Sequence, residues 1–545
     1  MTPQLVAETL DRLAASHKAL QIADVGRSYQ GRPIRSAAIG VGPRRVLAWS
    51  QMHGDEPTHT AVLLDLLAWL AGHGDDPRAA AILAGCTLIV VPMLNPDGAV
   101  LGTRENAQGI DVNRDARRLQ SPEGRILHDL VRGIRPDVAF NLHNQNARST
   151  VGRSKLPSVV ALMTPPVDEA DTQSAPTRRA KQIAVCFLDA VQPYCPGMIS
   201  RYSASYMPRA FGEWVQGTRA STVLVEAGGM PADAAFDMVA LHAHGLASTL
   251  AAIATGGYET QDPHRYDLLP LDGEIVRFDH VVRGATISCC GSTQPYVADL
   301  GINFAAGRRL AAGAPSGGVI EEIGDLDVTT GKAVTDAATL ECLPGGWSFR
   351  PGTTPADAHD DDALIELLTC GATTVLGTID ASDDQQLAAL SRLKQHADSP
   401  LNLAFLATWP NRSSGSAEHA ALRLLLACNR GACGVLADGV PPDVLEQLAS
   451  FSLPLVASGQ LVVAGDRSGV SLTSSANLPL PLQSLGGVPR GGVAKGAIAD
   501  LVLRRSAAAG GEIHSVLVGG VPVFADGRFA DARPGVLLAL RSASS

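Results

Sequence analysis

Four strand-like apolar runs, each leading to a residue able to do chemistry, constrain the fold of this chain most. Arg45 to Ser50 leads into His53, and Cys86-Thr-Leu-Ile-Val-Val-Pro-Met-Leu leads into a predicted turn, Asn95-Pro-Asp-Gly98. Pro136-Asp-Val-Ala-Phe-Asn-Leu-His143 ends on His143, and Ser221-Thr-Val-Leu-Val-Glu226 ends on Glu226. Runs that are apolar throughout, rather than at alternate positions, belong to strands covered on both faces, as in parallel sheets. Helical patterns lie between them: the nearly all-apolar stretch from Ala61 to Ala71, then Glu123 to Arg132 and Arg178 to Ala190. The pattern predicts an α/β/α sandwich with a mixed, mostly parallel sheet. In such sheets ligands gather at the carboxyl ends of the strands, and there His53, Asn95, His143 and Glu226 fall.

His53 and Glu56 flank a Gly-containing turn between a strand and a helix, in Gln51-Met-His-Gly-Asp-Glu-Pro-Thr-His59. This H-x-x-E spacing lets an imidazole nitrogen and a carboxylate oxygen converge on one borderline cation such as Zn²⁺. His59, one turn further on, reads as an ordinary helix residue.

A length of 545 residues suggests two to four domains. The net charge of -10 is spread along the chain, with no basic patch for nucleic acid and no Lys/Arg-rich amphipathic helix for a membrane surface. The N-terminus is a charged amphipathic helix pattern with Leu5, Leu10 and Leu13, without a signal-peptide core. The one very apolar helix expected, Ala61 to Leu70, is too short to span a bilayer and carries Asp65. Nine cysteines with no C-x-x-C pair, and Cys289 adjacent to Cys290, read as free thiols. A cytoplasmic protein is expected.

Taken in order, His53-x-x-Glu56, Asn95-Pro-Asp-Gly98, Thr103-Arg104 through Asn113-Arg114-Asp115, Leu142-His143 and Val225-Glu226-Ala-Gly-Gly resemble the zinc carboxypeptidase family over roughly residues 20 to 255. The resemblance implies one Zn²⁺ in the N-terminal domain, held by His53, Glu56 and His143 with the fourth position left to water. It implies Glu226 as general base and then acid, and Arg104 as stabiliser of the tetrahedral oxyanion. Asn113 and Arg114 would clamp a substrate carboxylate, and Tyr206, or else Tyr202, would supply the family's mobile phenol. Asp115 is expected to be structural. The short interval from Glu56 to His143 resembles the cytosolic and amide-hydrolysing branches, and no inhibitory pro-segment is expected ahead of the domain. Glu213, in Gly212-Glu213-Trp214, gives no clear cue to the terminal side chain; an outward-facing acid is expected there.

Near Gly256 to His264 turn residues suggest a linker. Short alternating runs follow, then α/β units with predicted helices at 362–368, 385–396, 418–429 and 443–449, then β again. Gly324-Asp-Leu, Leu343-Pro-Gly-Gly, Cys370-Gly-Ala-Thr-Thr-Val and Lys495-Gly-Ala-Ile-Ala-Asp-Leu-Val-Leu resemble the framework of the amidohydrolase family, over about residues 305 to 530. The family's H-x-H ligands are missing after Pro344-Gly, and His359, His396 and His419 are scattered, so no second metal is expected. The expected organisation is a catalytic domain at 1–258, a β-rich domain at 259–350, a truncated amidohydrolase-like α/β region at 351–490 and a C-terminal β segment at 491–545 that returns to the β-rich domain. The second half would act as scaffold, homo-oligomer surface or cover. The expected activity is hydrolysis of an amide beside a free carboxylate in a small peptide. The alternatives are an N-acyl amino acid deacylase on the same site and a non-catalytic zinc-binding recognition module.

Overall fold

The apolar runs become the centre of an eight-stranded sheet. Its strands are β1 (Gln21–Arg27), β2 (Pro33–Ile39), β3 (Arg44–Ser50), β4 (Cys86–Val91), β5 (Val138–Asn144), β6 (Val160–Met163), β7 (Ile199–Arg201) and β8 (Ser221–Ala227), in the order β1-β2-β4-β3-β5-β8-β6-β7. The four middle strands β4, β3, β5 and β8 are parallel, while β1, β2 and the β6–β8 pairing are antiparallel. The computed structural model describes residues 1–202, 205–231, 234–273, 275–288, 294–304, 318–344, 346–349, 372–395, 402–408, 424, 427, 434–436, 440–441, 455–457, 460–462, 470–471, 499–505, 513–518, 521–525, 528–529 and 537–538. The chain divides into a first compact unit, Met1–Arg277, and a second that begins at Phe278.

The helices of the first unit are α1 (Pro3–Ser16), α2 (Thr58–Gly72), α3 (Pro77–Gly85), α4 (Pro96–Leu101), α5 (Pro122–Ile134), α6 (Ala175–Val191), α7 (Phe211–Gly217), α8 (Met238–Thr255) and α9 (His264–Asp267). Thr2, Asp76, Ser121, Ser174 and Asp237 each cap a helix start with a side-chain oxygen, satisfying amides that have no intrahelical partner. One core packs α1, α2, α3, α6 and α8 on the face that carries Val46, Ala48, Phe140, Leu142, Val223 and Val225. A second, smaller core packs α5 and α7 on the face that carries Leu47, Trp49 and Ala139. Neighbouring residues of a strand therefore serve opposite cores, which is why these runs are apolar without alternation.

Three expectations change. Asn95-Pro-Asp-Gly98 is the start of α4 rather than a free turn: Asn95 Oδ1 accepts from Gly98 N–H at 2.9 Å, and its Nδ2 donates to the Met52 carbonyl at 3.2 Å. The predicted linker near residue 258 lies inside the first unit, because Tyr258 and Tyr266 are buried in its core and the Tyr266 hydroxyl accepts from Thr164 N–H at 3.0 Å. Finally, Ala61 to Leu70 is not the one very apolar helix. α8 is long and apolar enough to cross a membrane, and its apolarity serves the core that it shares with α2, α3 and α6.

His59 of α2 and His242 of α8 meet in this core, Nε2 to Nδ1 at 2.9 Å, and both are fully buried. Burial pushes His242 down to about 4 and His59 well below its ordinary value, so both are neutral in the fold. The unfolded chain protonates them below about 6.5, so it binds more protons there and stability falls with falling pH. Between pH 6.5 and 4, His242 alone removes about 3 kcal/mol. Denaturant midpoints across that range check this, and His242→Leu should flatten the slope.

In the second unit, one sheet runs in the order Val319–Gly324, Tyr296–Asn303, Arg277–Ile287, Leu340–Pro344, Leu501–Arg505, Ile513–Val518, Val521–Ala525 and Arg528–Phe529, with Thr330–Asp336 paired to Arg277–Ile287. Leu340–Pro344 pairs antiparallel with Leu501–Arg505, across more than 150 residues of chain. A second sheet holds the parallel strands Gly346–Phe349, Ala372–Asp380, Asn402–Thr408, Gly434–Leu436 and Leu455–Ala457, with a helix at Asp384–Gln395. The predicted helices at 362–368 and 443–449, most of that at 418–429, and Cys289, Cys290, His359, His396 and His419 lie outside the described residues.

Candidate metal and catalytic site

The carboxyl end of β3 turns sharply before α2, and the turn is built for close approach. Gln51 has a φ of 48°, a conformation rare for a residue with a side chain. Its amide secures the turn, donating to the Gly54 carbonyl at 2.8 Å and accepting from Thr60 Oγ1 at 2.7 Å. Gly54 has no alternative, since a Cβ there would stand 1.9 Å from the Gly98 carbonyl carbon. This contact brings α4 and the loop after it up against His53 and Glu56.

His53, Glu56 and His143, all buried, place one donor atom each within 4.8 Å of one another, and among the described residues they alone form such a group. His53 Nδ1 lies 2.7 Å from Glu56 Oε1, and His143 Nδ1 lies 2.8 Å from Glu56 Oε2, which also accepts from Asn144 N–H at 3.2 Å. Burial alone would raise the Glu56 carboxyl, but the charges and hydrogen bonds of His143 and His53 hold it well below the usual carboxylate range. Burial lowers His143; for His53, burial is outweighed by Glu56 and Asp111, which raise it.

Asp111 escaped the sequence reading. Its Oδ1 lies 3.3 Å from His53 Nε2, and its Oδ2 accepts from Arg104 Nε at 3.0 Å. A carboxylate on the far nitrogen fixes the tautomer with the proton on Nε2, leaving the Nδ1 lone pair turned toward Glu56. The same Nδ1 receives Arg104 Nη1 at 3.1 Å. One nitrogen cannot both accept from Arg104 and donate to Glu56, and two lone pairs facing each other repel. A cation between the nitrogens and the carboxylate resolves that conflict, so the two-imidazole, one-carboxylate set fits Zn²⁺. The signal available in the sequence was a carboxylate two residues before Asn113, of the kind metal-binding histidines lean on.

Glu226 pairs in register with His143 across β5 and β8, so both side chains leave the same face. It is buried, and among the described residues Oε2 has no hydrogen-bond partner. Burial first, then the negative charge of Glu56, push its carboxyl well above the usual range, while Arg104 pulls it back. A divalent ion beside Glu56 would cancel the second of these effects.

The remaining candidates lie on or near the loop after α4. Asn106 closes that loop by accepting from Gln108 N–H and Ile110 N–H and donating to Glu123 at 2.8 Å. Arg104 is partly exposed, with Nη1 also 3.6 Å from Glu56 Oε1. Asn113 is buried and its Oδ1 accepts from Phe211 N–H at 3.0 Å, which ties the loop to α7. Arg114 is half-buried, and its Nη1 donates to the Asn113 carbonyl at 2.8 Å. Asp115 accepts from Gln120 N–H and Ser121 N–H at 2.7 Å each, an anchor for α5. Glu213 is buried rather than outward-facing, accepts from Met207 N–H at 3.3 Å, and is raised by that burial. Of the two tyrosines, Tyr202 stands nearer the site: burial raises its phenol, with Glu226, Arg104 and Glu56 all in electrostatic range. Among the described residues no hydrogen bond joins either phenol to these groups, and both Tyr206 and Tyr202 stay candidates.

Residues 6–146 match the model of the zinc carboxypeptidase family, whose members use Zn²⁺, and the N-terminal region thus carries a zinc carboxypeptidase domain. Carboxypeptidase SOL1 of Arabidopsis thaliana is 30% identical over 143 residues, 23% of this chain. The match spans 29% of that relative's length. Among solved structures, a metallo-carboxypeptidase from Burkholderia cenocepacia aligns at a TM-score of 0.38 and 21% identity, over 46% of this chain and 68% of its own. A metallo-carboxypeptidase from Pseudomonas aeruginosa, solved with (2-guanidinoethylmercapto)succinic acid, aligns at 0.37 and 19%, over 46% and 67%.

Proposed function

We propose that the first unit is a zinc-dependent carboxypeptidase-type hydrolase that cleaves a peptide or amide bond beside a free C-terminal carboxylate. The observation that carries the reading is the meeting of three buried ligand side chains with an unpaired buried carboxylate, Glu226, on the neighbouring strand. His53, Glu56 and His143 would hold Zn²⁺, which would supply Lewis acidity and lower the pKa of the attacking water to about 7. Glu226 takes the proton of the attacking water and hands it to the leaving amine. Its burial serves that exchange, because a carboxyl raised toward neutrality both accepts and returns a proton readily. Arg104, on the same side of the ligands, donates to the oxygen on which negative charge develops. Asp111 holds both Arg104 and His53 in place.

Asn113 and Arg114 receive the terminal carboxylate, the guanidinium fork matching its two oxygens. With its oxygen held by Phe211, Asn113 offers its NH₂ to that carboxylate. Tyr202 or Tyr206 offers a phenol to the substrate backbone. Arg114→Ala should raise KM on the order of 10- to 100-fold, the value of a charge-assisted hydrogen bond. Amidating the substrate's terminal carboxylate should cost the wild type a similar factor and the variant little more. Steady-state kinetics on benzoyl-dipeptides and their C-terminal amides test the reading; equal rates on acid and amide would reject the clamp.

A further inference from the structure

Two polar side chains in the wall behind Glu226 have no hydrogen-bond partner among the described residues. Asn141 stands two residues before His143 on β5, so its side chain leaves the same face as His143 and Glu226. It is fully buried, and neither its amide oxygen nor its amide nitrogen has a hydrogen-bond partner. Thr222, on the same face of β8, is likewise buried with an unpartnered hydroxyl. Folded proteins almost always pair such groups, and exceptions commonly belong to sites that pair them with something else.

A glycine, Gly212, lies beside the Asn141 amide. A Cβ built on Gly212, at the start of α7, would lie 3.6 Å from Asn141 Nδ2 and 3.1 Å from Pro165 Cγ. The residue before it, Phe211, is the one whose N–H is held by Asn113 Oδ1. Asn141 is thus linked on one side, through Gly212 and Phe211, to Asn113, one of the residues proposed above to receive the terminal carboxylate. On the other it stands two residues along β5 from His143, which is in register with Glu226. A terminal residue that spans the two sides turns its side chain toward this wall. Leu224 and Pro165 beside Asn141 are apolar and the Thr222 hydroxyl is neutral, so a charged side chain would be desolvated against neutral groups. A carboxamide both donates and accepts, and it complements both atoms of Asn141.

Resting on the carboxypeptidase reading above, we propose that Asn141 is a specificity-determining residue selecting substrates that end in a carboxamide side chain, glutamine or asparagine. Pockets built to bond a polar group reject analogues that lack it far more strongly than apolar pockets reject an extra methylene.

The test compares kcat/KM for benzoylglycyl substrates ending in Gln, Asn, Leu, Phe, Lys, Glu and N,N-dimethyl-Gln. Wild type should favour Gln or Asn over Leu by about 100-fold, and dimethylation should abolish the preference without any change to the protein. Asn141→Leu should reverse the Gln-to-Leu ranking and raise the thermal midpoint, since an unpaired buried amide is gone. Preference for Leu or Phe in wild type overturns the proposal, as does an unchanged ranking in Asn141→Leu. Preference for Lys also overturns it and points to Glu213. Calorimetric binding of N-acetylglutamine and N-acetylleucine to the zinc-loaded wild type reads the same selectivity without turnover. Equal binding overturns the proposal, whereas selective binding with no hydrolysis of any substrate supports it and overturns the carboxypeptidase reading alone.

Discussion

Glu226→Gln should lower kcat by about 10³-fold while zinc content stays at one ion per chain. General acid–base groups contribute about 10²- to 10⁴-fold, and a group that serves twice, as base and then as acid, belongs in the upper part of that range. Glutamine keeps the shape and removes the proton traffic. Stability separates this from misfolding. The folded carboxyl of Glu226 is raised by burial, so as pH rises the unfolded chain releases that proton first and the wild-type apo protein loses stability above the ordinary carboxyl range. The neutral amide carries no such penalty, and the apo variant should be at least as stable as wild type at pH 8. Rate measured beside metal content and thermal midpoint decides the matter: near-native turnover would remove Glu226 from the reaction.

Loss of the metal has the larger effect. His143→Ala removes a buried imidazole whose Nδ1 lies 2.8 Å from Glu56, and it should bring both bound zinc and hydrolysis below detection. In wild type, a strong chelator should do the same reversibly, with activity restored by added Zn²⁺. Ligand binding to the folded state stabilises it by RT ln(1 + [L]/Kd), so zinc in 1,000-fold excess over its Kd adds about 4 kcal/mol. The thermal midpoint should therefore rise with zinc in wild type and stay flat in His143→Ala. Part of the stabilisation comes from relief of conflict, since without a cation His53 Nδ1 meets both a carboxylate oxygen and a guanidinium N–H.

What could be read from the residues follows a physical divide. β3, β4, β5 and β8 were legible because both faces are covered, and their runs are apolar without interruption. The edge hairpin of β1 and β2 was not: β1 is largely exposed and a register shift between Asp24 and Gly26 breaks its alternation. β6 and β7, of four and three residues, are too short for any periodicity. His53, Glu56 and His143 could be named because the order of the motifs that carry them resembles the zinc carboxypeptidase family. Asp111 was passed over although it stands two residues before Asn113, because one acid in a polar loop looks like any other until its contact with His53 is seen. The His59–His242 pair had no motif to point to it. Glu213 misled in the other direction: its carboxylate is buried against Met207, where composition suggested an exposed acid. Asn141 looked like one more position in a strand until its lack of partners came into view.

The account depends on one ion shared by residues far apart in the chain. A crystal of the zinc-loaded protein, with anomalous diffraction recorded on both sides of the zinc absorption edge, tests this most directly. The account predicts a single strong peak in the first unit, bounded by His53 Nδ1, the Glu56 carboxylate and His143 Nδ1, with the Glu226 carboxylate facing its open side. A map with no peak among those three residues, or with the zinc bound elsewhere in the chain, would contradict it.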